Sequence, residues 1–152
     1  FVGGNRQTAC EAGEVPLWTP VAMQALSRPL TAIYNIGFAS TPPEVRSIRK
    51  GLYQDRALSR GAPALVLWAE VFWVEAGDNV RLRVTGPNGA LVINYSNVLP
   101  KRQARRTISA GREKAGPFWP AGTYRGEIVI ERGDTSGQTQ RFTARRTVEL
   151  KD

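Results

Sequence analysis

Residues 80–84, Val-Arg-Leu-Arg-Val, alternate strictly between aliphatic and charged side chains. A period of two puts successive side chains on opposite faces of a strand, so Val80, Leu82 and Val84 are expected inward and Arg81 and Arg83 toward water. The same grammar returns at residues 123–131, with Tyr124, Ile128 and Ile130 on one parity and Arg125, Glu127 and Glu131 on the other. It returns again at 140–150, where Phe142, Ala144, Val148 and Leu150 share the inward parity. Residues 64–74 differ: they are apolar on both parities except for Glu70, the pattern of a central strand covered on both faces. Shorter runs of β-formers predict strands at 30–38, 90–95 and 102–108. Between these runs lie turn signals, Ala76-Gly77-Asp78-Asn79, Gly86-Pro87-Asn88-Gly89 and Gly133-Asp134-Thr135-Ser136-Gly137.

The first third reads differently. Residues 1–20 form an irregular arm interrupted by Gly3-Gly4, Gly13, Pro16 and Pro20, and residues 21–26 suit a turn or two of helix after Thr19-Pro20. Val45, Ile48 and Leu52 recur at spacings of three and four, which predicts a helix over Glu44 to Tyr53 with one apolar stripe. The expected architecture is mainly β: an antiparallel immunoglobulin-like or fibronectin-like β-sandwich at residues 63–152. Residues 1–62 are expected as an N-terminal arm and helix-containing layer packed on it. The Cys-Trp-Cys pattern of disulfide-bonded immunoglobulin domains is missing, so that likeness is architectural.

Composition supports a packed domain: 41% of the 152 residues are hydrophobic and 22% charged. No window holds eighteen consecutive apolar residues, which argues against a transmembrane helix. The chain starts at Phe1 without a signal-like segment, so it is expected to be a processed or excised piece whose targeting signal lies upstream. Cys10 is the sole cysteine, which leaves a free thiol or a bond to a cysteine outside the chain. A net charge of +8 invites an anionic partner: nucleic acid, anionic lipid or an acidic wall polymer.

The densest charge feature comprises Lys101, Arg102, Arg105, Arg106, Arg112 and Lys114, set against Glu113 alone. These are candidate ligand-binding residues. Along a strand Arg102 and Arg106 share a face while Arg105 takes the other, and aromatics are not interleaved among them, which argues against a nucleic-acid groove. Trp119, between Pro117 and Pro120, is either an exposed aromatic on a binding rim or a plug over the open end of the sandwich. Glu70 must be paired or reach solvent; it either pairs with Arg146, on the inward parity of the last strand, or faces outward beneath the N-terminal layer. The chain has no histidine, which removes imidazole acid-base chemistry, histidine metal ligands and the Ser-His-Asp triad. No phosphate loop is present. No catalytic residue, metal site or cofactor is therefore expected in this chain.

Three stretches resemble a known family. They are Pro16-Leu17-Trp18-Thr19-Pro20 with Tyr34-Asn35-Ile36-Gly37-Phe38, then residues 64–69 with Ala76-Gly77-Asp78 and residues 82–89, and finally Trp119-Pro120-Ala121-Gly122-Thr123-Tyr124-Arg125-Gly126. Together they are similar to the C-terminal accessory region downstream of the core in lysostaphin-type (LytM-like) zinc metallopeptidases of alphaproteobacteria, and Phe1-Val2-Gly3-Gly4 is similar to the junction closing such a core. The resemblance implies a periplasmic or exported envelope protein whose core holds zinc through His and Asp ligands and cuts peptidoglycan cross-links. None of those ligands has a counterpart in this chain, so zinc would belong to an upstream core. The expected role is non-catalytic, assisting wall binding or regulation, with peptidoglycan, the peptidase core or other envelope proteins as partners. The alternative is a structural protein-protein interaction domain with no wall affinity.

Overall fold

A computed structural model describes residues 31–133 and 137–152. The strands are β1 (Ala32–Ala39), β2 (Ala57–Ser59), β3 (Ala64–Val74), β4 (Asn79–Thr85), β5 (Leu91–Val98), β6 (Gln103–Glu113), β7 (Gly122–Gly133) and β8 (Thr139–Lys151), and a single helical turn, α1 (Val45–Arg49), follows β1. They form a three-stranded sheet in the order β1-β3-β6 and a five-stranded sheet in the order β2-β8-β7-β4-β5. Two sheets that each carry one apolar face bury those faces against each other, which makes a β-sandwich.

The alternation in β4 is realised as expected: Val80, Leu82 and Val84 are fully buried while Arg81 and Arg83 are exposed. Leu65, Leu67, Ala69 and Val71 of β3 meet these residues, together with Ile128 and Ile130 of β7 and Val148 and Leu150 of β8, in one core between the sheets. The other parity of β3 is covered too. Val66 and Trp68 pack on its outer face with Ala39, Ile48 and Tyr53, so the doubly apolar strand is central and buried on both sides. Its parity resets at Trp73, whose φ of 54° turns the indole outward and lets Val74 enter the core.

Several expectations need correction. The helix is five residues long instead of spanning Glu44 to Tyr53, because Gly51 leaves the helical region with φ of 75°. Of the predicted stripe only Ile48 is buried; Val45 and Leu52 are exposed. Residues 32–59 contribute strands to the sandwich itself: β1 pairs antiparallel with β3, and β2 pairs parallel with β8. The sandwich is thus not purely antiparallel, and both sheets cross the expected boundary at residues 62 and 63. The expected strands at 90–95 and 102–108 run on to Val98 and Glu113. The expected arm at 1–20, the helical turns at 21–26, Cys10 and most of the 133–137 connection lie outside the described residues.

Two buried carboxylates tie the framework. Asp78, without exposed surface, accepts Arg132 Nε on Oδ1 and Nη2 on Oδ2, each at 2.7 Å, and receives the backbone N–H of Glu75 at 2.8 Å. The same Arg132 donates to Thr31 Oγ1 at 2.8 Å, which donates in turn to the Trp73 carbonyl at 2.6 Å. This fork-on-fork geometry satisfies a charge that would otherwise be costly to bury.

Candidate functional site

The basic stretch around β6 does not converge. Lys101 and Arg112 are exposed. Arg102 makes an ion pair with Glu75 at 3.3 Å and lies over the Trp73 ring, and Lys114 donates to the carbonyls of Gly61 and Pro117. From Arg102 to Lys114 the strand runs twelve residues, about 40 Å at the usual rise. Arg105 faces outward, where it donates through Nε and Nη2 to Glu70 Oε1 at 3.1 and 2.7 Å. Arg106 takes the opposite parity, donates to Gln103 at 2.5 Å, and lines a cleft between β5 and β6.

Glu70 is indeed paired, but with Arg105 and, at 3.9 Å, Arg49. Arg146 instead donates to the Gln54 carbonyl. The expected Glu70–Arg146 pair fails because Glu70 shares the outer parity of Val66 and Trp68, whereas Arg146 shares the inward parity of Ala144 and Val148. Glu70 is opposite Thr107 in the β3–β6 register, which sets Arg105 on the same face two residues away. Trp119 is buried, with its indole N–H donated to the Ala62 carbonyl at 2.9 Å and its ring edge-on to Tyr124. The plug reading describes this placement; the exposed-rim reading does not.

A different basic surface forms where the sequence showed only outward parity. The register sets Asn94, Arg83, Glu127 and Arg145 side by side across β5, β4, β7 and β8. Thr85, Arg125 and Thr147 make the next row; Ser96, Arg81, Val129 and Thr143 lie on the other side, followed by Asn79, Glu131 and Arg141. Neighbouring strands are roughly 4.8 Å apart, so five arginines share one sheet face. Some are neutralised: Arg145 pairs with Glu127 at 2.7 Å, Arg81 with Glu131 at 2.6 Å, and Arg141 reaches Glu131 at 3.9 Å.

Arg83 and Arg125 are exposed and form no ion pair among the described residues. They border a shallow depression of about 230 Å³ with Thr85, Glu127, Arg145 and Thr147. A smaller one of about 90 Å³ adjoins it beside Arg81, Arg83, Asn94 and Arg141. Guanidinium forks match the paired oxygens of carboxylates and phosphates, and threonine hydroxyls add donors. The shape suits repeated groups on a polymer better than one enclosed small molecule. Sequence reasoning missed Arg83 and Arg125 because they are 42 residues apart and meet only through the β4–β7 register.

No family model matches the chain, and no curated protein matches it. Among solved structures it is similar to a β-glucuronidase of Bifidobacterium dentium complexed with coumarin-3-O-glucuronide, at 15% identity and a TM-score of 0.41, over 79% of this chain. The chain spans 18% of that enzyme chain's length. At that level the likeness bears on neither the site nor its chemistry.

Proposed function

We propose that this chain is a non-catalytic, immunoglobulin-like accessory module of an exported envelope protein, which lays the arginine face of its five-stranded sheet on an acidic wall polymer such as peptidoglycan. The observation that carries this reading is the presence of Arg83 and Arg125, adjacent and without an ion pair among the described residues, within a face of five arginines that also carries Glu127, Glu131 and, one row beyond Arg125, Glu149. A surface of that sign concentrates a polyanion by long-range attraction, and the two unpaired forks then seize individual carboxylate or phosphate groups. The resemblance to regions downstream of lysostaphin-type peptidase cores supplies the setting. In that setting the module holds the core on its substrate and contributes no zinc ligand.

The test is co-sedimentation with purified peptidoglycan. Binding is expected to fall steeply between about 20 and 300 mM salt, as the screening length drops from roughly 20 Å to under 10 Å. The Arg83→Gln/Arg125→Gln variant is expected to lose most low-salt binding, while Lys101→Gln/Arg112→Gln keeps most of it. The two pairs remove equal charge, so equal losses would reduce the effect to net charge and overturn the assignment of the face. No sedimentation by the parent would favour the protein-interaction alternative. Changing Arg105 is unsuitable here, because it exposes the stability role of Glu70 instead.

A further inference from the structure

β5 and β6 are each the last strand of their sheet, and a cleft of about 220 Å³ lies between them. Register decides which side chains face it. Tyr95 stands opposite Leu82 and Asn97 opposite Val80, and residues directly opposite in an antiparallel pair share a face, so both take the inward parity of the buried Val80 and Leu82. On β6, Arg106 shares the parity of Ile108, which belongs to the core. The core thus ends at Val80, Leu99 and Ile108, and the inner faces continue with Tyr95, Asn97 and Arg106. Thr107 and Ser109 complete the lining.

The guanidinium of Arg106 is incompletely used. Its Nη1 donates to Gln103 Oε1 at 2.5 Å, while its Nε is shut off from solvent and donates to no group. Arg106 forms no ion pair among the described residues, and no acid lines the cleft. A charged donor buried without an acceptor is costly, and folded proteins rarely leave one so. Two other arginines of the chain show what the same edge takes: Arg105 gives Nε and Nη2 to Glu70, and Arg132 gives Nε and Nη2 to Asp78. Arg106 offers that fork with no carboxylate of the chain to accept it. Water satisfies a donor but does not neutralise the charge.

The geometry points to this cleft as a binding site for a carboxylate-bearing sugar, whose carboxylate accepts the Nε and Nη2 fork of Arg106 and whose ring hydroxyls meet Tyr95, Asn97 and Ser109. Size and polarity make the choice. At about 220 Å³ the cleft is smaller than the roughly 300–1,000 Å³ of sites that enclose larger organic ligands, so a single ring fills it. Amide and hydroxyl groups both donate and accept, as a hydroxylated ring requires. An amino acid fits less well, because its ammonium would find no acid there. The sugar acid is either free or the end residue of an acidic polysaccharide, which carries the same groups. The site is distinct from the outward-facing Arg83 and Arg125 and does not rest on the role proposed for them.

The test is a titration of the full chain with D-galacturonate, followed by two-dimensional amide NMR. Shifts are expected at residues 95–97 and 106–109, saturating with a Kd on the order of 1 mM. D-galactose, the same ring without the carboxylate, is expected to bind at least about tenfold more weakly. Arg106→Gln should weaken galacturonate by at least about tenfold, and Arg106→Lys nearly as much, because a point charge lacks the fork. Arg112→Gln removes equal charge from the same strand and is expected to keep the parent's Kd. Asn97→Asp separates binding from folding: it puts a carboxylate of the chain into the cleft, so binding should vanish while the denaturation midpoint holds or rises. Tighter binding of a galacturonate trimer than of the monomer identifies a polysaccharide end as the ligand; equal binding identifies a free sugar acid. Absent shifts, equal shifts with galactose, an unchanged Kd in Arg106→Gln, or shifts confined to the Arg83 and Arg125 face would overturn the proposal. None of these outcomes bears on sedimentation with peptidoglycan.

Discussion

Glu70 shows how much one residue's surroundings decide. It is almost fully buried, and Arg105 is its closest partner, with Arg49 further off. Removing one member of a buried pair commonly costs roughly 3–5 kcal/mol, but Arg105 is one-third exposed and Arg49 remains nearby. Arg105→Ala is therefore expected to cost about 2 kcal/mol in urea unfolding, and Glu70→Gln in the same background to recover much of it by removing the stranded charge. Gly37 marks the neighbouring limit on volume. A Cβ there would lie 2.5 Å from Trp68 Cζ2 and 2.9 Å from the Tyr53 carbonyl oxygen, one of them backbone and unable to swing aside. Gly37→Ala should cost about 1–3 kcal/mol by overpacking, measured by the shift in denaturation midpoint. The position of Trp68 over Gly37 has no signature in the sequence, because it depends on the β1–β3 pairing.

At the scale of elements, legibility followed the strength of the periodic signal. β4 was readable because alternation over five residues admits one arrangement, and β3 because a strand apolar on both parities has to be central. Leu82→Ala should cost on the order of 2–5 kcal/mol through the cavity it leaves. By contrast Leu52→Ala should change stability by less than about 0.5 kcal/mol, since Leu52 is exposed although it completes a helical stripe on paper. Two chemical denaturation curves check both. β2 was invisible because three residues carry no period, and its parallel pairing with β8 depends on the return of the chain. The arginine face was half legible: each outward parity was read correctly, but strand order β8-β7-β4 was needed to combine them. Local density drew attention to β6 instead, where charges adjacent in sequence separate by face and distance.

For the whole molecule, the end of the sandwich near Trp119 gives a pH-dependent readout. Burial pushes the Tyr124 phenol above its ordinary range, more than the nearby Arg60 lowers it, and the phenol O–H donates to the Pro120 carbonyl at 3.0 Å. A native pKa above the unfolded value means that the folded chain holds the proton more tightly. The resulting stabilisation is fully present below about pH 10 and is lost as pH rises through the native value. Tyr124→Phe should remove that part of the alkaline decline, read as a flatter dependence of unfolding free energy on pH.

Time enters through the turn at Gly86–Gly89. Gly89 holds φ of 78° and donates its N–H to the Gly86 carbonyl, while Gly86 donates to the Ala90 carbonyl. The turn makes β4 and β5 a local hairpin, and hairpins close in roughly 1–10 µs. The β3–β6 and β7–β4 pairings span far longer stretches of chain and form more slowly. An uncharged strand with strong β-forming residues is thus taken up by its own neighbour before it meets another chain, leaving one side open instead of two. Gly89→Ala forces a left-handed conformation on a residue with a Cβ, at about 1–2 kcal/mol, and delays that capture. Its expected signature is kinetic: slower refolding and a larger aggregated fraction after dilution from denaturant, growing with protein concentration. Both effects should shrink when Val98→Lys is added, which guards the strand while it waits.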